Sequence, residues 1–217
     1  MRTKLSALVV CLLIAPAVFP SSVPSMPAPS TPGMTQNNAV QSFNDGLRYR
    51  DRAWKAEKEL VTATDPGRKA KLGEIIRKSY EADVRSQRAA INDNPKMFQA
   101  HTELGYALRK TGHYDEALQS YDKALELMPN YGEAIEYRAE AYLGLNRVND
   151  AKDSYLMLYN GGAKELAKQL GDAMQKWVAD RKAAPGDVAG TSIDEFAKWI
   201  SQRTEIAGTA GTGSSWR

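Results

Sequence analysis

The sequence predicts an all-α fold: a short right-handed α-solenoid of about three helix-turn-helix units, followed by C-terminal capping helices. Three observations predict it. Small and aromatic residues recur at a spacing of 34 through residues 98–159. Apolar residues on either side of that stretch return at helical spacing. Prolines and glycines are concentrated at the N-terminus, near residue 186 and in the tail, which leaves long uninterrupted segments between them.

Taken in order, residues 1–17 read as a secretory signal. Arg2 and Lys4 supply the positive start, Leu5 to Ile14 a short apolar core, and Ala15-Pro16-Ala17 the small residues a signal peptidase needs, with the cut falling somewhere from 17 to 28. The apolar run is shorter than the roughly 20 residues that span a bilayer. The expected location is therefore periplasmic or secreted, the alternative being a membrane anchor formed by an uncleaved signal. Cys11 is the sole cysteine; it lies inside the apolar run after Val10, which does not fit lipidation. The chain without its signal has no thiol for a disulfide or a metal site. Formal charge is +3, and +1 once Arg2 and Lys4 are gone, so no bulk charge draws the chain to nucleic acid or to an anionic membrane.

Residues 18–37 are rich in proline and serine and read as an extended linker. Helical spacing begins near Asn38, with Val40, Phe43, Leu47, Trp54 and Leu60 on one face. Gly46 counts against that helix by about 1 kcal/mol. Asp65-Pro66 then offers a cap and a first-turn proline, and a second helix runs to Asn94-Pro95. Residues 38–97 are thus expected to form an antiparallel helical hairpin. Beyond it, Gly105 recurs as Ala139, Ala107 as Ala141, Ala117 as Ala151 and Tyr121 as Tyr155; Pro129 steps back to Pro95. This divides the chain into units at 98–131 and 132–162.

The segment AHTELGYALRKTGHYDEALQSYDKALELMPN resembles a tetratricopeptide repeat. Leu104-Gly105 matches the apolar–glycine pair of that family's first helix, Ala117 with Tyr121 the alanine and aromatic of its second, and Pro129 its exit proline. The resemblance implies close crossing of paired helices at Gly105 and Ala117, with Leu108 and Tyr121 beside the crossing and Ala124 admitting the next unit. The departures are His101 where tryptophan is common, Arg138 in the third unit, no exit proline there, and Asp83 and Gln87 where the first unit should carry alanine and an aromatic.

After Asn160-Gly161-Gly162 the period ends. Residues 163–206 read as capping helices: Leu166, Leu170, Met174 and Trp177 share one face, and Ser192 with Glu195 makes a capping box before a last helix carrying Phe196, Trp199 and Ile200. Residues 207–217 read as a disordered tail. Whether the last helices cap the stack or enter its groove is open, as is a homo-oligomer through the Trp199 face.

No catalytic, cofactor or metal constellation is found, so the chain reads as not an enzyme and as needing no cofactor. His101 and His113, the only histidines, fall at a packing position and in a turn. In tetratricopeptide repeats the concave groove is the usual ligand surface. The resemblance places Thr102, Tyr106, Arg109, Lys110, Glu133, Glu136, Tyr137 and Glu140 in it, together with Gln99, Glu103 and Leu143. Tyr106 and Glu140 stand where the chaperone-binding subclass has asparagine-like donors, which argues against that clamp. The implied ligand is a protein or peptide of some basic character anchored on Tyr106 and Tyr137, and not nucleic acid. The expected function is that of a protein-interaction scaffold or adaptor in a bacterial envelope; the alternative is an accessory subunit of a membrane-bound envelope assembly, in outer-membrane biogenesis, cell-wall synthesis or secretion.

Overall fold

A computed structural model describes residues 32–183 and 192–210. The signal segment, most of the linker, the loop after Ala183 and residues 211–217 lie outside the described residues. All described elements are helices: α1 (Pro32–Thr62), α2 (Pro66–Asp93), α3 (Phe98–Lys110), α4 (Tyr114–Leu127), α5 (Gly132–Gly144), α6 (Val148–Asn160), α7 (Lys164–Ala183) and α8 (Ile193–Ala210). They pair as α1/α2, α3/α4, α5/α6 and α7/α8, and the pairs stack in chain order into a short helical solenoid. Odd-numbered helices form one row and even-numbered helices the other. Along the odd row α1 touches α3, α3 touches α5 and α5 touches α7, whereas α2, α4 and α6 make no comparable contact with one another. The even row is therefore splayed, and the odd row lines the inside of the curve.

The 34-residue spacing has a direct structural expression. A Cβ on Gly105 would stand 2.5 Å from the Tyr121 ring, so a larger residue is admitted at this crossing only if the ring shifts. In the next unit Ala139 and Tyr155 take those places, both buried. The turns repeat as well. Gly112 (φ 84°) and Asn146 (φ 60°) follow α3 and α5, and Gly162 (φ 85°) follows α6. Each sits in a Schellman turn: His113 N–H reaches Leu108 O at 2.9 Å, Arg147 N–H reaches Tyr142 O at 2.8 Å, and Ala163 N–H reaches Leu158 O at 2.9 Å. Glycine and asparagine are the residues that enter this backbone region most readily.

Four expectations need correction. α1 starts at Pro32, inside the stretch read as linker; Pro32 suits a first-turn position and no later proline interrupts the helix. Its buried seam is made of small residues, Ala39, Gly46, Ala53 and Ala56, while Val40 is exposed. The reason is close approach: a Cβ on Gly46 would lie 2.1 Å from Gln87 Nε2 and 2.7 Å from Asp83 Oδ1. The helix-breaking residue of the sequence reading is thus what permits the α1/α2 contact. α8 extends to Ala210, past the expected end at 206. Finally, α7 is more than a cap. It continues the inner row, with Trp177 Nε1–H donating to Leu143 O at 2.8 Å, and a Cβ on Gly132 would meet Leu166 at 2.5 Å. α8 packs back on α6 and α7 through buried Phe196 and Ile200, and Trp199 lies edge-on to Tyr155 at 5.5 Å. The last helix is thus outside the groove, and Trp199 is half-buried against its own chain.

The predicted caps hold. Asp65 accepts from Arg68 N–H at 2.6 Å with Pro66 opening α2, and Ser192 Oγ accepts from Glu195 N–H at 3.1 Å.

Candidate partner-binding groove

The inner face is built from α1, α3, α5 and α7. α1 contributes Arg50, Trp54 and Glu57, one turn apart, so all three project to the same side. α3 answers with Glu103, Tyr106 and Lys110 at the same levels. Arg50 Nη1 bonds Glu103 Oε1 at 2.6 Å, Trp54 Nε1–H donates to Tyr106 Oη at 2.6 Å, and Lys110 Nζ meets Glu57 Oε1 at 2.7 Å. Tyr80, from α2, donates its hydroxyl to Glu57 at 3.0 Å and lies under the Lys110 ammonium. Between α3 and α5 the Tyr106 and Tyr137 rings are 5.0 Å apart. The Arg109 guanidinium lies over both, at 5.1 and 5.8 Å, and bonds Glu140.

These pairings decide what the face offers. Three acids of the inner row, Glu57, Glu103 and Glu140, are each engaged by a cation of a neighbouring helix. Glu136 is buried; burial first, and the Glu140 carboxylate one turn on, push its carboxyl up to about 8, so it is held neutral near pH 7. Burial likewise pushes Glu103 up, against the pull of Arg50. Of the eight predicted groove residues, the structure gathers Tyr106, Arg109, Lys110, Glu136, Tyr137 and Glu140 on one face. Thr102 is not available there: it is 2% exposed, and its hydroxyl is turned to Phe98 O at 3.0 Å. Tyr106 is buried with its hydroxyl engaged, so it stiffens the wall and does not anchor a ligand. Leu143 is core. Glu133 is exposed, with no ion pair among the described residues. Glu140 is engaged by Arg109 and burial raises the Glu136 carboxyl, so both offer less charge to a basic partner than their shared face alone implies.

A recess of about 390 Å³ opens at one end of this face, lined by Arg109, Lys110, Tyr114, Glu140, Ala173 and Trp177 among others. It lies where α3, α5 and α7 end together. Sequence reasoning missed Arg50, Trp54, Glu57 and Trp177 as members of this face. α1 is more than twice the length of α3, so the 34-residue register could not be carried back to it, and Trp177 was assigned to a cap.

His101, 8% exposed, donates Nε2–H to Pro95 O at 3.0 Å, as a packing histidine would; His113 is exposed in the α3–α4 turn and meets Thr111 Oγ1 at 3.0 Å. Among the described residues no group of three or more histidine, cysteine or acidic side chains is placed to hold a metal, and no helix is long and apolar enough to cross a membrane.

Residues 98–131 match the family model of the tetratricopeptide repeat. This unit is similar to a tetratricopeptide repeat. The match covers α3 and α4, with Gly105 against Tyr121 at its centre. The α5/α6 pair repeats its crossing and its turn. Tetratricopeptide repeats generally serve protein–protein interaction and are generally non-enzymatic. No curated protein matches the sequence.

Proposed function

We propose that this chain is a non-catalytic scaffold of a bacterial envelope, holding a protein or peptide partner on the face lined by α1, α3, α5 and α7. One observation carries the reading: four successive first-row helices present a continuous, internally cross-braced surface in which Glu57, Glu103 and Glu140 each pair with a cation of a neighbouring helix. Such a face is rigid before any partner arrives, and pre-organisation reduces the ordering cost of binding. With its acids largely neutralised, it selects less by charge than by shape and by aromatic edges, with Tyr137 and Trp177 at the surface and Glu133 as the unpaired charge. The envelope location rests on the sequence of residues 1–17, with export and removal of that segment.

A photoreactive amino acid introduced at Glu133 or Lys176, with the same probe at outer-row Lys123 and Met157 as controls, tests the surface. Partner adducts should form from the inner positions and not from the outer ones; equal labelling would end the proposal for this face. N-terminal sequencing of the protein recovered from the periplasm should begin after a residue between 17 and 28. An unprocessed chain that sediments wholly with membranes would favour the membrane-bound subunit instead.

A further inference from the structure

We propose a second docking site on the edge of the solenoid, a notch that takes an acidic peptide segment carrying aliphatic side chains. It rests on protein binding as the general role of the fold, but not on the inner face. The notch exists because neighbouring helices differ in length. α2 has 28 residues, α3 has 13 and α4 has 14, so the N-terminal half of α2 overhangs the α3–α4 turn. Below the overhang is a recess of about 720 Å³, within the size of pockets that hold ligands.

Its chemistry is two-layered. The floor is apolar: Ile76 and Val84 are half-buried, and Leu108 and the Tyr80 ring close the base. The rim is cationic, with Arg77, Arg85, Arg88 and Lys110, against only Glu81 and Glu116 among the lining acids. Arg77 is engaged by Glu74 and Glu81, Arg88 by Glu116 and Lys110 by Glu57. Arg85 has no ion pair among the described residues, although it stands between paired neighbours on an exposed helix face. The unpaired Arg85 guanidinium above an apolar floor fits a chain that alternates acidic and aliphatic side chains: apolar groups bury against Ile76 and Val84 while a carboxylate meets the Arg85 fork. A basic or wholly polar peptide gains one of these contacts at most.

Gly73 supplies a clean probe. It lies at the far end of the notch, and a Cβ there would meet nothing within 4 Å. Gly73→Trp therefore fills the recess without crowding the fold, and it removes a helix-interior glycine.

The experiment is fluorescence anisotropy on the full chain with a labelled octapeptide alternating glutamate and leucine. Octapeptides alternating lysine with leucine and glutamate with serine are the controls. The acidic aliphatic peptide should bind, more weakly as salt rises, and at least about tenfold more tightly than either control, a margin of one decade in Kd. Arg85→Glu and Gly73→Trp should each weaken it by about tenfold or more, with circular dichroism and Tm of the parent retained. Glu133→Lys, on the inner face, should leave it unchanged. The proposal is overturned if no peptide binds, if the three bind alike, or if Arg85→Glu and Gly73→Trp bind as the parent does. Loss on Glu133→Lys would move the site to the inner face. Arg85-dependent adsorption to phosphatidylglycerol vesicles without peptide binding would assign the patch to lipid and overturn it equally. Loss of this site would leave the crosslinking test of the inner face standing.

Discussion

The first hairpin and the central repeat solve one packing problem with opposite chemistry. In α3/α4 the crossing is Gly105 against an aromatic, with Ala117 beneath it. In α1/α2 it is Gly46 against Gln87, with Asp83 in the place of the alanine. Asp83 and Gln87 are each 0% exposed and bonded to one another, Gln87 Nε2 to Asp83 Oδ1 at 2.9 Å. Geometry therefore dictates the glycine, while the residue that fills the opposite side is free in polarity provided it fits. What the polar solution brings is a titratable group inside the seam. Burial pushes Asp83 up to about 7, with the Gln87 amide restraining it. Asp83 Oδ2 and Gln87 Oε1 have no hydrogen-bond partner in the seam, so the first hairpin holds together with less than full polar satisfaction.

The contrast can be broken at several strengths. Tyr121→Ala should be the most damaging change, about 3–5 kcal/mol by denaturant titration, since it empties the space beside Gly105. A loss under about 1 kcal/mol would mean the crossing is not where the fold is held. Next, Gly105→Ala should cost about 1–3 kcal/mol because a rigid ring must move. Gly46→Ala should cost less, because the Gln87 amide is the end of a flexible side chain, whereas both changes gain the same helix propensity of about 1 kcal/mol. Reversal of that order in chemical denaturation would refute the equivalence of the two crossings.

The pH effect is smaller. Asp83 and Glu136 bind protons more tightly folded than unfolded, so their contribution to stability is complete below the unfolded values of 3.8 and 4.5. It is lost as pH rises through about 7 and about 8. Stability should accordingly fall from pH 5 to pH 8.5, and Asp83→Asn and Glu136→Gln should each flatten that fall by about 1–2 kcal/mol in thermal melts. A wild-type curve already flat across this range would show both carboxyls to be ionised throughout. The least effect belongs to the turns. Gly112→Ala should cost about 1 kcal/mol through its positive φ, whereas Asn146→Gly should move Tm by a degree or two at most.

Much of the stack was legible because its determinants are local and repeated. A 34-residue recurrence of Gly105/Ala139, Ala117/Ala151 and Tyr121/Tyr155 fixes both the helix pairs and their phase, and caps such as Asp65-Pro66 and Ser192 mark helix starts directly. The first hairpin was harder. Its seam residues, Ala39, Gly46 and Ala53, are small, and a reading that looks for bulky apolar faces selects their neighbours, so Val40 was put inside and is outside. The inner face was legible as a set of positions but not as a set of free groups. Spacing says that Arg109 and Glu140 share a face; it does not say that they bond one another, or that Glu136 loses its charge. The role of α7 was hidden because its buried Leu170-Gly171 pair falls two residues short of the 34-residue phase that runs from Leu104-Gly105 through Arg138-Ala139.

Because each hairpin touches only the one before and the one after, the molecule has no fixed length built into its packing. A duplicate of residues 98–131 spliced at the seam between Pro129 and Gly132 would meet its own Gly105 and Tyr121 on one side and their counterparts Ala139 and Tyr155 on the other. It would lengthen the array by one interhelical step, about 8–10 Å, and carry one more copy of the inner wall with it.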